Sequence, residues 1–359
     1  MTIPASGRTG FAALRYPGFL IFIVGKIFSI VSSHMILVAL SYQIYDRTGD
    51  PLNLALISLS LFVPTCGLGL FIGYVVDNYD RKRVMTSVFV GLTVTTLFIL
   101  AFTLLDIEIL WPYYLVLFCM GTVRAFYGPT SNAIAPNLVP LEVFPNSVTW
   151  NSSVGKMAQI CGPMAGGFLY LLGPDVVYAT AVVTFILGAI STTMITFHTV
   201  TERKKSRPTF RSLLAGLSFV FEKKVVFGAV VVDLSVALMG GVVALLPIFA
   251  KDILDVGAAG AGILRSSMAL GGLAAAFALI PITIRHAGRL MLIGVGVFGI
   301  AMIGFGLSTS FPLSIACLAL AGASDMMNVT VRQTLLQIAT PDSLRGRVRS
   351  EEHTSELQS

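Results

Sequence analysis

Four charged residues lie deep inside otherwise apolar stretches of this chain: Lys26, Arg124, Asp233 and Asp325. An ionised side chain in hydrocarbon is expensive, so such groups pair, face a water-filled cavity, or mark the path of an ion or proton. A carboxylate held against a lysine or arginine can take up a proton and release its partner, which is the chemistry of a proton-linked switch. His34 and Lys156 also fall within apolar stretches. His34 reads as either a hydrogen-bonded cavity wall or a proton carrier, and Lys156 as a rival partner for either acid. Arg265 is placed to meet Asp252 or Asp255 near the outer rim. Enzymatic chemistry finds no support. The sequence has no phosphate-binding loop, no Ser-His-Asp arrangement, and no cluster with metal-ligand spacing, so neither a cofactor nor a metal is expected.

A second group of residues stands in a short polar loop, Gly73-Tyr-Val-Val-Asp77-Asn-Tyr-Asp80-Arg81-Lys82-Arg83, between two apolar stretches. The glycine is expected to let two helices approach, the aspartate to end the first of them, and the basic cluster to mark the cytoplasmic side.

The elements that carry these groups are expected to be membrane helices. Hydrophobic residues make up 55% of the chain and charged residues 12%, against about 25% charged in a typical soluble domain. That balance cannot coat a globule with polar surface, so the solvent is lipid. The net charge of +6 is spread over a few loops rather than one face, which points away from nucleic acid. Cys66, Cys119, Cys161 and Cys317 lie in apolar stretches and read as buried thiols. Ten stretches are long enough to span a bilayer: 18–44, 52–76, 84–105, 111–132, 148–172, 175–197, 225–250, 258–283, 290–308 and 312–338. Nearly all loop lysines and arginines then fall on one side, with only Arg47 and Lys251 on the other. The positive-inside rule places the N-terminus and the 198–224 loop in the cytoplasm. Within that loop Phe210, Leu213, Leu214, Leu217 and Phe221 share a helical face, which fits an interfacial helix or the start of the seventh span.

The chain repeats itself. Arg83-Val-Met after the second span matches Arg289-Leu-Met after the eighth, and Pro140 after the fourth matches Pro341 after the tenth, each about 200 residues later. Two copies of a six-span unit are expected, residues 1–197 and 225–348, with 198–224 as linker and the second copy lacking its last two helices. The charged stretch 349–359 resembles a translated sequencing-library adapter, with a genuine short tail as the alternative. The repeat aligns Asp233 near Lys26 and Asp325 with Arg124, placing opposite charges at matching depths about 10–13 Å inside the cytoplasmic boundary. The four form a ring around one vestibule, or each pairs locally with a different helix.

Three patterns make the chain similar to the major facilitator superfamily, in its enterobactin-exporter-like, drug:proton antiporter branch, over residues 11–348. The Gly73–Arg83 loop resembles the family's cytoplasmic loop, which implies a charge lock between helices through Asp77, Arg81 and Arg83, with Lys82 beside them. The alternative is a loop that only sets orientation. Arg124-Ala-Phe-Tyr-Gly128 resembles the family's proton-linked Arg-x-x-x-Gly element. Gly162-Pro163-Met-Ala-Gly166-Gly167 resembles the exporters' antiporter motif, or serves helix packing alone. The first span departs from proton-coupled relatives by carrying Lys26 and no acid. The resemblance implies a monomeric exporter in a bacterial cytoplasmic membrane. It would move a siderophore or amphipathic drug-like molecule against protons, with the gradient as its energy source. An importer of a small metabolite, or a non-transporting sensor on the same fold, is the rival reading.

Overall fold

In the computed structural model the chain is helical throughout the described residues, which are 11–140, 142–196, 241–279 and 287–339. It divides into two units, Met1–Arg207 and Pro208–Ser359. The first holds α1 (Pro17–Thr48), α2 (Pro51–Gly67), α3 (Gly69–Asn78), α4 (Arg81–Leu104), α5 (Trp111–Ala125), α6 (Tyr127–Ile134), α7 (Phe144–Tyr170) and α8 (Pro174–Met194). The second holds irregular helical turns over 241–253, then α9 (Gly257–Leu279), α10 (Ala287–Leu307) and α11 (Phe311–Ala339). Helices occupy nine of the ten expected spans. Most of the seventh, the 198–224 linker and the 349–359 tail lie outside the described residues.

Local chemistry sets the helix ends. Proline opens α1, α2 and α8, where its missing N–H costs nothing. Asp50 caps α2 by accepting from the Leu52 N–H at 2.9 Å, and Gly49 ends α1 in the left-handed region at φ 63°. Two expected spans are each broken in the middle. The second breaks at Leu68 between Gly67 and Gly69, both weak helix formers. The fourth breaks at Phe126, because Pro129 has no N–H to offer the carbonyl of Ala125 four residues earlier.

Six helices among the described residues are long and apolar enough to cross a membrane: α1, α4, α8, α9, α10 and α11. Their outward faces are greasy. On α8, Val183, Ile186, Leu187, Ile190 and Met194 are exposed at helical spacing, while Tyr178, Ala181, Phe185 and Gly188 pack inward. That inversion suits a lipid solvent. Threonine hydroxyls on α4 donate to carbonyls four residues back, as Thr93 does to Phe89 at 2.8 Å and Thr96 to Leu92 at 2.7 Å. These bonds leave no hydroxyl facing hydrocarbon alone. Cys119 and Cys161, expected to be buried, are exposed on this apolar surface, where a weakly polar thiol is tolerated by lipid.

Within the first unit α1 lies against α7 and α8, α4 against α8, and α2 against α5. A buried hydrogen-bonded line ties α1, α4 and α8: Tyr178 donates to Gln43 Oε1 at 2.6 Å, and Gln43 Nε2 donates to Thr103 at 3.2 Å. Near the helix ends Arg47 pairs with Asp106 at 2.8 Å. In the second unit α11 packs on both α9 and α10. A side chain at Gly271 would collide with the Ala319 carbonyl, and one at Gly322 with that of Met268, so glycine alone permits this approach.

Candidate functional site: charged groups in the membrane helices

Lys26 lies about 14 Å along α1 from its first residue. Its Nζ donates to two oxygens of one residue on α7, the Asn151 carbonyl at 2.9 Å and Asn151 Oδ1 at 2.7 Å. The expected carboxylate is replaced, among the described residues, by this neutral pair; Asp233 lies outside them. Gly155, one turn along α7, makes room for the lysine, since a Cβ there would touch Cε and Nζ at 3.4 Å. Lys26 also lines a small cavity with Phe22, Phe89, Tyr127, Ser191 and Thr192, contributed by α1, α4, α6 and α8. Tyr127 stacks edge-on to Phe89 at 6.2 Å.

Arg124 stands in the last turn of α5, just before the break at Phe126. A cation there complements the carbonyls that a helix C-terminus leaves exposed. It is half-buried and has no hydrogen-bond or ion-pair partner among the described residues. Gly128, one turn further on, is half-buried on α6.

The loop between α3 and α4 closes as a staple built on carbonyls. Asp80 caps α4 by accepting from the Arg83 N–H at 2.8 Å. Arg81 donates to the Ala133 carbonyl at the end of α6, at 3.0 Å, and Lys82 to the Ile195 carbonyl at the end of α8, at 3.0 Å. Each cation thereby meets the negative end of a helix dipole. Asp77, expected in the charge lock, is exposed and has no partner among the described residues; Arg83 is exposed too. Within this unit the ties to neighbouring helix ends run through Arg81 and Lys82. Gly73, expected to let two helices approach, has nothing among the described residues within 4 Å of where its Cβ would be.

Close approach occurs instead along α7. A Cβ at Gly162 would lie 2.8 Å from His34 Cβ and 3.0 Å from the Val31 carbonyl, and one at Gly166 would lie 2.7 Å from Met35 Cα. Gly162, Pro163, Gly166 and Gly167 are all buried, and the glycines bring α7 onto α1. His34 packs on this seam, whereas Lys156 is exposed on another face of α7. In the second unit Asp325 is half-buried midway along α11, and Arg265 half-buried on α9.

Sequence reasoning missed Asn151 as the lysine's partner, because electrostatics alone directs the search for a lysine's partner to an acid. It also missed Asn328, buried opposite Gly294 with neither amide atom hydrogen-bonded among the described residues, and Arg332, buried one turn beyond. A scan for every polar residue on the face of Asp325 would have found both.

A model of the transmembrane secretion effector family matches residues 8–351. Macrolide efflux protein A of Streptococcus pyogenes is 25% identical over 334 residues, covering 90% of this chain and 82% of the relative. Enterobactin exporter EntS of Escherichia coli O1:K1 is 27% identical over 350 residues, covering 93% and 80%. Among solved structures, a bacterial homologue of the iron transporter ferroportin in an inward-facing state superposes with a TM-score of 0.69 at 19% identity, covering 96% of this chain and 88% of that one. A bacterial homologue of the lysosomal transporter Spinster, inward-facing and occupied, gives 0.67 at 14% identity, over 96% and 78%. These two likenesses concern the fold. The family match spans nearly the whole chain, which belongs to the transmembrane secretion effector family of major facilitator transporters.

Proposed function

We propose that this transporter exports a small amphipathic organic molecule across a bacterial cytoplasmic membrane in exchange for protons, with its N-terminus in the cytoplasm. The observations that carry the reading are Lys26 on a membrane helix, held only by neutral oxygens among the described residues, and Arg124 on another, with no partner among them. Charges left without counter-ions in membrane spans belong to a path for ions or polar ligands. Direction is supported by relatives named for macrolide efflux and enterobactin export. Transport proceeds by rocking of two halves about a site near mid-membrane. The proton is exchanged at an intramembrane ionisable group, for which Asp233, Asp325 and Lys26 are the candidates. A single chain suffices, and the proton gradient is the energy source.

Counterflow in proteoliposomes tests this. Labelled erythromycin or labelled enterobactin should enter vesicles preloaded with the same unlabelled compound faster than it enters empty ones. Exchange no faster than in protein-free liposomes, for both compounds, would refute the export reading.

A further inference from the structure

We infer that Lys26 is the group that exchanges the proton, and that the substrate presents a cationic group to it; the inference rests on the export reading above. The argument begins with hydrogen-bond counting. A neutral amine has two N–H donors and one lone pair, whereas an ammonium has three donors and none. Asn151 supplies two acceptors, its carbonyl and its Oδ1, at 2.9 and 2.7 Å. The neutral form is therefore satisfied as a donor and keeps its lone pair for a ligand. The third N–H of the ammonium must find water or another acceptor. A carboxylate in place of Asn151 would lock the charged form; an amide and a carbonyl accept from either form.

The neighbours reinforce this. No charged side chain lies against Nζ among the described residues. From α6 the cavity receives Tyr127, and from α8 it receives Ser191 and Thr192. On α4 Lys82 donates to the carbonyl of Ile195, a residue of the cavity wall. Lys156 follows Gly155 on α7 but is exposed on another face, and Arg124 precedes Tyr127 by three residues. Among the described residues no carboxylate acts on this lysine, so none of them holds its proton in place. On the α7 side Gly155 lies against the lysine, and a Cβ there would reach Cε and Nζ at 3.4 Å.

The sign of coupling follows. A cationic group entering the site repels the ammonium and donates to the lone pair of the neutral amine. Binding thus breaks one Nζ–H bond, leaves its electron pair on nitrogen, and passes the proton to solvent water on the cytoplasmic side. After the substrate leaves on the far side, the amine takes a proton from external water, and the charged form returns. One proton enters for each cation expelled, which is antiport. An anionic substrate would instead hold the proton on Lys26 and travel with it.

The test uses the whole chain in everted membrane vesicles, with labelled erythromycin, a macrolide bearing a tertiary amine, and labelled enterobactin, which carries acidic phenols. The wild type should accumulate erythromycin when the vesicle interior is acid. Lys26→Met, fixed in the uncharged state, should lose gradient-driven accumulation at least tenfold while counterflow survives at a reduced rate. Lys26→Arg, fixed in the charged state, should lose both; a purely structural lysine would be rescued by arginine. Accumulation by Lys26→Met equal to wild type, loss of its counterflow as well, or rescue by Lys26→Arg would each overturn the assignment of the proton. Proton-driven exchange of enterobactin without any of erythromycin would overturn the cationic substrate. Exchange of neither probe would overturn the export reading, and this inference with it.

Discussion

Replacing Gly166 by alanine tests the α1–α7 seam on which Lys26 and Asn151 face each other. The new Cβ would lie 2.7 Å from Met35 Cα and 2.8 Å from the Met35 carbonyl oxygen. Both neighbours are backbone, so no side chain can swing aside, and the helices must separate by several tenths of an ångström. Overpacking of this kind costs about 1–3 kcal/mol. Gly73→Ala is the matched control, because nothing lies within 4 Å of its Cβ and the exchange can gain up to about 1 kcal/mol of helix propensity. That gain is common to both glycines, so the two variants should differ in stability by about 1–3 kcal/mol, in favour of Gly73→Ala. Reversible unfolding of the purified protein by SDS in mixed micelles measures the difference. Equal stabilities would refute the packing argument. A Gly166→Ala protein as stable as wild type but inactive would show that the glycine motif acts on transport itself rather than through the seam.

Three further perturbations follow from individual contacts. Tyr178→Phe removes the donor to Gln43 Oε1 in a fully buried site, so unfolding stability should fall by about 1–3 kcal/mol. Lys82→Met cuts the tie from α4 to the end of α8, a half-buried charge-assisted bond that should be worth about 1 kcal/mol, and protease cleavage near residue 195 should accelerate. Asp77→Asn should leave stability within about 0.5 kcal/mol of wild type, because the carboxylate is exposed and has no partner among the described residues. Transport by that variant should nonetheless fall several-fold if Asp77 acts in a gate; wild-type transport would reduce the loop to an orientation signal.

The helices were legible because hydropathy over a long window reports the solvent, and proline and Asp–Pro junctions punctuate their starts. The break at Phe126 was legible in principle from Pro129, but a continuous apolar run hid it. The break at Leu68 rests on two glycines in a stretch whose hydropathy never drops. Charge positions were plain in the sequence, yet their partners were not. Lys26 suggested an acid by electrostatics alone, whereas the structure supplies an asparagine 125 residues away, and no local pattern reveals which neutral oxygens a fold will bring together. The glycine argument divided by position: Gly162 and Gly166 meet backbone or Cβ atoms of α1, while Gly73 meets open space, a distinction that depends on which helix faces which.

The central claim, that substrate binding and proton release are one event at an intramembrane group, is tested most directly by proton movement itself. Everted vesicles energised to an acid interior and loaded with a pH-quenched acridine dye should dequench when erythromycin is added, as protons leave in exchange for the drug. The response should vanish in Lys26→Met vesicles that hold their gradient equally well. A gradient undisturbed by erythromycin in wild-type vesicles that do transport the drug would contradict proton exchange.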